Sequence, residues 1–576
     1  MSAPPENPAQ WHRVLTLLAD VSLLIGTRAV WTQAASHRVA VAAVISVCYA
    51  SILVCGVLAL VVRRTRSLAR VDLCVLVTAL TLVLCAWVMA HKGGDEGLLT
   101  TQAAREIAGG SPVYGQPWPW LFDHGVARTP TVYGGYDYTY GYPPLAPLLT
   151  VPLLWLGHQG APATAMATGA LLAGAVTLWR MLPVPWRPAA TMVCLGFGML
   201  PSYARLGYPA ILSMALLLPV AVRWPRIGAG GRLGRTGVAR AVCLGAACAA
   251  QQLPWFVAPF LLAGIYAVRR GELGPRAAAG VLLRLTGVAA TAWLLINTYF
   301  LAQQPRGWFQ GIALPLTQGA VLHGQGLIGV SLYLTNGSDR IDWYGHASLL
   351  LAAGLLALFV LFVRRLGPVA TVLPWCAFFL ATRSQDGYYL IMTPLWVASA
   401  VTAPLSEFAG AWQPRPRLMA GPRRRPVRLA AVALVLLPAL ASGAVAATGT
   451  PPLRMRVVAV RHPSPTAVSL LTVRVTNTGD TALTPHFTLT TGQGMDPYWR
   501  ITGGPRTLPA HATARYELRP PARRFHVPRP GVRIRLRAFT ADPQTLSSTD
   551  VGPALRAPSP RLRGRSGAGR DARSPG

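Results

Sequence analysis

Apolar residues fall in blocks along the first three-quarters of the chain, and short polar segments separate these blocks. Many of the blocks approach the length of about 20 residues that an α-helix needs to cross a bilayer. We therefore predict an all-α polytopic membrane bundle of about 11–13 transmembrane helices. The predicted spans are 39–62, 72–90, 164–182, 189–200, 211–222, 239–250, 253–268, 277–300, 346–363, 368–381, 389–403 and 427–447.

Two apolar segments leave alternatives open. Residues 12–34 carry Asp20 and Arg28, so the N-terminal segment 1–36 is either an interfacial amphipathic helix or a poor first span. Its first ten residues are expected to be disordered. Residues 143–157 begin at a proline pair and either cross the membrane or enter it from one side.

The pattern changes after Thr450, where apolar and polar residues alternate in short runs separated by turn residues. A period of two at this spacing predicts a C-terminal β-sandwich of the immunoglobulin-like type over 450–551. Residues 552–576 are rich in Pro, Arg, Gly and Ser, which predicts a disordered basic tail. The transmembrane domain accordingly covers 37–449.

Composition supports a membrane protein, since 52% of the 576 residues are hydrophobic and only 12% are charged. The net charge of +34 comes almost entirely from arginine, and Lys92 is the single lysine. A charge this high raises the possibility of nucleic-acid binding. The arginines, however, form short clusters between apolar blocks, as the positive-inside rule describes, so no nucleic-acid partner is expected.

These arginine clusters predict the topology of a multi-pass plasma-membrane protein. With residues 63–70 in the cytoplasm, the span that ends at Ala90 delivers the loop 91–142 to the outer face. The same alternation makes the C-terminal domain extracytoplasmic. Between 142 and 223 an odd number of crossings is required, yet four apolar pieces occur, so one is re-entrant or fused with its neighbour.

The outer loop 91–142 contains the residues best suited to chemistry. Asp95 and Glu96 follow directly after a span, where acidic residues are costly and usually functional. The loop also carries Trp118, Trp120, Asp123 and five tyrosines between 133 and 142. Aromatic faces combined with carboxylates suit a carbohydrate, whereas an aromatic belt at the membrane interface is the alternative interpretation.

Several motifs resemble one family of membrane enzymes. They are Asp95, Ala103-Ala104, Gly110, Tyr114, Tyr142-Pro-Pro-Leu145, the segments 251–260 and 306–326, and Arg383-Ser with Gly387-Tyr-Tyr389. Together they resemble GT-C glycosyltransferases, closest to the family 87 type and actinobacterial mannosyltransferase-like membrane proteins. The chain departs from that pattern in Leu98–Thr100, where a Tyr is usual, in the additional span 39–62, and in Gln251, where a lysine is frequent.

The resemblance implies a GT-C-like catalytic domain that moves a sugar, mannose or arabinofuranose, from a polyprenyl-phosphate donor to a lipid or cell-wall glycan acceptor. The reaction is expected to invert the anomeric centre and to need no nucleotide or other cofactor. No metal-binding residues are predicted, since no Asp-x-Asp motif is present, and the use of a divalent metal is left open. Asp95 is the first choice for the base that deprotonates the acceptor, and Glu96 the second. The predicted substrate-binding residues are Tyr114, Tyr138, Tyr142, Arg306, His323, Gln325, Arg383 and Tyr388.

Each of these assignments has a structural alternative. Glu96 is otherwise a solvated charge at the rim, and the arginines otherwise extend to the membrane surface. His323 is otherwise structural, and Asp386 is otherwise an ion-pair partner for Arg383. In the C-terminal domain, Tyr498, Trp499 and Tyr516 either stack on glycan or pack in the core.

Two further functional classes remain. A lipid or glycolipid transporter or flippase without catalysis is the main alternative, although no internal repeat is visible and the acids concentrate in a loop. A structural, wall-anchoring membrane protein is the third interpretation, with the C-terminal domain and basic tail as its working parts.

Overall fold

A computed structural model of the protein describes residues 8–122, 126, 128–157, 160–414, 424–492, 497–529 and 531–555. The chain divides into two compact units. The first, mainly helical, comprises Met1–Thr131, Gly135–Leu334 and Arg340–Thr448, and the second comprises Val132–Gly134, Thr335–Asp339 and Gly449–Gly576. Asp123, residues 1–7 of the predicted disordered N-terminus, and residues 556–576 of the predicted tail lie outside the described residues.

Helices make up most of the described chain. They are α1 Pro8–His37, α2 Val39–Val61, α3 Thr65–Met89, α4 Asp95–Ala108, α5 Leu145–Trp155, α6 Pro162–Met181, α7 Arg187–Leu195, α8 Met199–Arg205, α9 Pro209–Ala221, α10 Gly234–Ala250, α11 Pro254–Leu273, α12 Pro275–Gln303, α13 Pro305–Thr317, α14 Trp343–Leu361, α15 Val363–Leu366, α16 Leu373–Cys376, α17 Asp386–Leu390, α18 Thr393–Thr402, α19 Arg424–Thr448 and α20 Gly552–Leu555. The strands are β1 Thr129–Pro130, β2 Tyr136–Asp137, β3 His323–Gly324, β4 Gly337–Ser338, β5 Arg383–Ser384, β6 Leu453–Arg461, β7 Ala467–Val468, β8 Leu470–Asn477, β9 His486–Thr491, β10 Arg500–Gly503, β11 Thr513–Arg519, β12 Phe525–His526, β13 Ile534–Thr540 and β14 Thr545–Asp550.

Seven helices within the described residues are long and apolar enough to cross a membrane: α1 from Gln10, α2, α3, α6, α12, α14 and α19 from Arg425. This number is smaller than the 11–13 spans predicted from the sequence, because several apolar blocks form short or interrupted helices. The block 189–200 is split between α7 and α8, where Gly198 adopts a left-handed φ of 73°. A Cβ at Gly196 would lie 2.1 Å from the Ser22 hydroxyl oxygen, so this break is also a close helix contact.

The block 368–381 is interrupted in a different way. It contains Pro368 and Pro374, and the structure forms only short helical turns there, with α16 four residues long. Proline lacks the N–H group that continues a helix, which explains why an apolar composition does not become one long helix.

α1 packs with its polar residues turned toward neighbouring helices. His12 is 1% exposed and hydrogen-bonds to Asp72 of α3, and the Thr16 hydroxyl donates to the other Asp72 oxygen at 2.8 Å. Asp20 is also buried, and neither of its carboxylate oxygens has a hydrogen-bond partner among the described residues. The acid that made 12–34 look unsuitable as a span is therefore shielded by protein, and α1 has the length and composition of one.

Replacing Asp72 with Ala is expected to lower the free energy of unfolding by about 3–5 kcal/mol, because His12 and Thr16 lose their buried partner. Unfolding of the purified protein in detergent measures the change. Cys74→Ala on the same helix is the matched control, since Cys74 is exposed on the helix surface. Equal stability of the two variants would show that the buried pair contributes no net stability.

The second unit contains two antiparallel sheets of four strands, in the orders β10-β11-β8-β6 and β4-β14-β13-β9. Alternate residues of both sheets, including Val473, Leu489 and Leu536, share one hydrophobic core. The core also takes Trp499 and Tyr516, which are 3% and 0% exposed and so pack rather than offer a surface for a glycan. The region predicted to be disordered from 552 starts with one helical turn, α20, at the edge of this core.

Candidate active site

The start of α4 is held by a close backbone approach to the turn between α8 and α9. The Gly94 N–H donates to the Leu206 carbonyl at 2.8 Å. A Cβ at Gly97 would lie 2.1 Å from the same carbonyl oxygen, and Gly207 occupies the left-handed region with φ of 81°. Only glycine fits at Gly97, and the two carboxylates just before it are therefore placed against α8 and α9.

Asp95 and Glu96 form the first turn of α4, where the positive end of the helix dipole stabilises negative charge. The Glu96 N–H donates to Asp95 Oδ1 at 2.9 Å. The Glu96 carboxyl group is hydrogen-bonded to the Tyr142 hydroxyl, while its Oε2 is buried and has no partner among the described residues. Glu96 is half-buried, and its buried Oε2 distinguishes it from the fully solvated rim charge of the alternative interpretation.

Burial raises the pKa of both carboxyl groups, and different neighbours modify the rise in each. Burial, reinforced by repulsion from Asp95, raises the pKa of Glu96 to about 8 against the opposing effects of Tyr142 and Arg383. Burial also raises the pKa of Asp95, but the Glu96 N–H and the charge of Arg383 oppose that rise. Since the two groups repel each other, we assign the proton at neutral pH to Glu96 and the negative charge to Asp95.

Arg383 supplies the positive charge of the site. It lies in β5, which pairs in parallel with β3 so that Arg383 is opposite His323. The pairing is tight, since a Cβ at Gly324 would lie 2.2 Å from the Ser384 carbonyl oxygen. Arg383 stabilises the charged forms of Asp95 and Glu96, and its buried Nε has no hydrogen-bond partner among the described residues.

A ring of tyrosines surrounds the carboxylates. Tyr142, Tyr208 and Tyr388 all lie close enough to Asp95 and Glu96 for the negative charges, in addition to burial, to raise their pKa values. The ring of Tyr203 is tilted by 38° against that of Tyr208, with centroids 5.4 Å apart, and Tyr203 hydrogen-bonds to Asp386. The raised pKa values keep these hydroxyls protonated and available as hydrogen-bond donors.

Tyr203 and Tyr208 were not among the residues predicted from the sequence. The only local signal is a pair of tyrosines in the segment Pro201–Pro209, which also contains Gly207. The segment looks like an ordinary helix–helix connection until α4 is docked on it. Asp386, predicted as either an ion-pair partner or a ligand, bonds instead to Tyr203 and to its own Gly387 N–H at 3.0 Å.

Four other predicted residues lie outside the carboxylate cluster. Tyr114 is 2% exposed, and its hydroxyl donates to the Tyr142 carbonyl at 2.9 Å, so it positions the segment that carries Tyr142. Tyr138 packs on Phe122, with ring centroids 5.5 Å apart. Arg306, on α13, and Gln325 are exposed, and no described contact joins either side chain to the carboxylate pair. The structure therefore does not bring Tyr114, Tyr138, Arg306 or Gln325 into the carboxylate cluster.

The segment 251–260 makes hydrogen bonds near the site through the side-chain amides of Gln251 and Gln252. The Gln251 side-chain oxygen accepts a hydrogen bond from the Leu253 N–H at 2.5 Å, so this oxygen bonds within its own turn. The Gln252 amide donates to the carbonyls of Gly141, at 2.8 Å, and Ile312, at 3.1 Å, and so anchors the residue before Tyr142. The half-buried Arg205 donates to the carbonyls of Pro201 and Ala86, the latter in the last turn of α3.

Glu96 should make the stability of the protein depend on pH. Because its folded pKa of about 8 exceeds the ordinary value of 4.5, the folded state holds this proton more tightly than the unfolded chain. The resulting stabilisation is complete below about pH 4.5 and is lost as the pH rises through about 8. We expect Glu96→Gln to gain thermal stability relative to wild type as the pH rises from about 4.5 to about 8.

The measurement is the difference in melting temperature between wild type and Glu96→Gln across that range, so that other titrations cancel. Glu106→Gln, three turns further along α4, is the matched control. Melting temperatures that run parallel for wild type and Glu96→Gln at every pH would contradict the shifted pKa.

No protein-family model matches the chain, and no curated protein matches it either. The interpretation of the carboxylate cluster therefore depends on its geometry and electrostatics.

Proposed function

We propose that the protein is an integral-membrane glycosyltransferase of the GT-C type, which transfers a sugar from a polyprenyl-phosphate donor to a glycan or glycolipid acceptor on the outer face. The observation that carries the proposal is the placement of two adjacent carboxyl groups beside the half-buried Arg383 and several tyrosine hydroxyls. A transferase for phosphate-linked sugars needs these three elements: a base, a cation for the leaving phosphate and donors for sugar hydroxyls.

In the proposed reaction, Asp95 accepts the proton of the acceptor hydroxyl as its oxygen attacks the anomeric carbon. The bond between that carbon and the phosphate oxygen breaks, and its electron pair leaves with the lipid phosphate. A single displacement of this kind inverts the anomeric centre. Arg383 is suited to the leaving phosphate because its planar guanidinium matches phosphate oxygens and its Nε is unused within the described protein.

The position of the cluster also supports a reaction at a membrane surface. α3 has 25 residues and is about 37 Å long, which exceeds the hydrocarbon thickness of about 30 Å. Arg66 and Arg70 lie near its start, and Asp95 follows its end. By the positive-inside rule we assign the cluster to the outer face, where a polyprenyl-phosphate headgroup lies at the same depth.

A test uses the purified protein in lipid nanodiscs with polyprenyl-phosphate mannose and, separately, polyprenyl-phosphate arabinofuranose. Release of polyprenyl phosphate that depends on an added oligosaccharide acceptor supports the proposal and identifies the sugar. If no sugar is released from either donor while binding of the donor is detected by mass spectrometry, the protein is not a transferase for these donors.

The buried cluster of His12, Asp72 and Asp20 favours a second candidate, a lipid or glycolipid transporter. Ionisable residues inside a helix bundle often mark ion or proton pathways, and Asp20 has no partner for its carboxylate among the described residues. Proteoliposomes distinguish the candidates. A transporter moves a labelled polyprenyl-phosphate sugar between leaflets without an acceptor, and Asp72→Asn, rather than Asp95→Asn, abolishes the movement.

A further inference from the structure

We propose that the helical unit contains a second anionic-ligand site, an arginine-lined cavity that binds a phosphate-bearing group with two or more negative charges. The cavity is open, has a volume of about 300 Å³, and lies between the end of α9 and the start of α10. Four of its lining residues are arginines: Arg223, Arg226, Arg232 and Arg240. None of its lining residues is acidic.

The cavity is separate from the carboxylate cluster. Tyr208, which faces Asp95 and Glu96, immediately precedes α9, and Arg223 lies two residues beyond its end. The 13 residues of α9 span about 20 Å. The two sites therefore occupy opposite ends of one helix. A ligand in the arginine cavity does not overlap the group of tyrosines around Asp95 and Glu96.

Three of the four arginine charges are not neutralised by the described protein. Arg226 donates twice to the Glu407 carboxylate, at 2.9 and 2.7 Å, which compensates its charge. No described carboxylate pairs with Arg223, Arg232 or Arg240. Arg240 even donates to the Arg223 carbonyl at 3.5 Å, and the two like charges repel. Like charges gathered without counter-charge in a concave site favour a multivalent anion.

The walls of the cavity are held in place mainly by contacts of other residues. Gly228 has a φ of 72°, and a Cβ there would lie 2.2 Å from Val281 of α12. Arg284 donates to the Gly231 carbonyl at 2.7 Å, and Glu272 accepts the Gly230 N–H at 3.0 Å. The Arg269 guanidinium donates to the Pro225 carbonyl at 2.8 Å. Other charged residues thus hold the loop, and the charges of Arg223, Arg232 and Arg240 stay without a described carboxylate partner, although Arg240 donates to the Arg223 carbonyl.

Guanidinium groups pair with phosphate oxygens through two parallel hydrogen bonds, so phosphate is the favoured chemistry. The same chemistry is offered by a soluble diphosphate and by the headgroup of an anionic lipid. A single carboxylate would balance only one of the three charges. The presence of Thr236 on the lining adds a neutral hydroxyl donor beside the arginines.

The test uses the full-length protein, purified in detergent and freed of lipid, with inorganic pyrophosphate as the probe in isothermal titration calorimetry. We expect saturable binding of one pyrophosphate per chain. The double variant Arg232→Gln/Arg240→Gln should bind at least about 10-fold more weakly, as two charge-assisted contacts are lost. Arg235→Gln is the matched control, because Arg235 is exposed on the same helix and does not line the cavity.

A gain-of-affinity variant makes the test sharper. Glu407→Gln releases Arg226 from its ion pair and adds a fourth uncompensated charge, so pyrophosphate should bind several-fold more tightly. Thermal unfolding of each variant verifies folding. If wild type does not bind pyrophosphate, or if Arg235→Gln weakens binding as much as the double variant, the site does not exist and the arginines form only a basic surface.

A second arm distinguishes the source of the phosphate. The titration is repeated in nanodiscs of phosphatidylcholine alone and of phosphatidylcholine with cardiolipin, whose headgroup carries two phosphates. If cardiolipin competes with pyrophosphate in wild type, the cavity takes a lipid headgroup. If pyrophosphate affinity is the same in both membranes, the cavity takes a soluble phosphate ligand. Both results support the shared chemistry.

Discussion

Asp95→Asn is expected to lower the rate of acceptor-dependent sugar release by about 10²–10⁴-fold, the usual contribution of a general base. The amide has nearly the same shape and retains an oxygen for the Glu96 N–H, which Asp95 accepts at 2.9 Å. It has no basic oxygen for the acceptor proton. The variant should therefore fold and bind donor normally while losing the chemical step.

Glu96→Gln provides the internal comparison. Because Glu96 holds a proton at neutral pH, a neutral amide resembles its native state, and most of the activity should remain. Glu106→Gln controls for the loss of any carboxylate from α4. The assignment is reversed if Glu96→Gln is inactive and Asp95→Asn active, and no base resides in this pair if both variants retain full activity.

Arg383→Gln is expected to give the second large effect, a decrease in kcat of about 10²–10³-fold, comparable to removing one donor that stabilises transition-state charge. In the proposed reaction the departing phosphate gains negative charge, and Arg383 is the cation that lowers the pKa of both carboxyl groups. Arg383→Lys keeps the charge but loses the planar fork, so it should recover only part of the rate. Arg180→Gln, an exposed arginine at the end of α6, is the control.

The pH profile separates an electrostatic role of Arg383 from a structural one. Arg383 opposes the rise in pKa of Asp95 and Glu96, so its removal should move the acid limb of the rate profile to higher pH. A loss of rate with an unchanged profile would indicate that Arg383 only supports the β3–β5 pairing. Full activity of Arg383→Gln would contradict its assignment to the leaving phosphate.

Local patterns in the sequence were informative where the structure depends on neighbours in the chain. The apolar blocks 39–62 and 72–90 correspond to α2 and α3, and the alternating pattern after Thr450 corresponds to antiparallel strands. Fewer long apolar helices form than there are apolar blocks, because average composition does not reveal a left-handed glycine such as Gly198 or a proline such as Pro374. Those residues divide an apolar block without changing its average hydropathy.

In the candidate site, too, some features follow from the local sequence and others only from the fold. Asp95 and Glu96 stood out because acids directly after an apolar span are rare. The interactions of Glu96 with Tyr208 and with Arg383 join residues more than 100 positions apart in the chain. The raised pKa of Glu96 also depends on burial. The strand β4, Gly337–Ser338, likewise joins a sheet of the second unit from a loop far from it in the chain.

By itself, the sequence determined that apolar helices precede a strand-rich C-terminal region and that two adjacent carboxylates follow a span, because hydrophobic periodicity and composition are local properties. Only the tertiary structure decided that Arg383 and three tyrosines lie near the two carboxyl groups and that four arginines line one cavity. Desolvation and Coulomb interactions depend on distances through space, and the fold alone sets these distances.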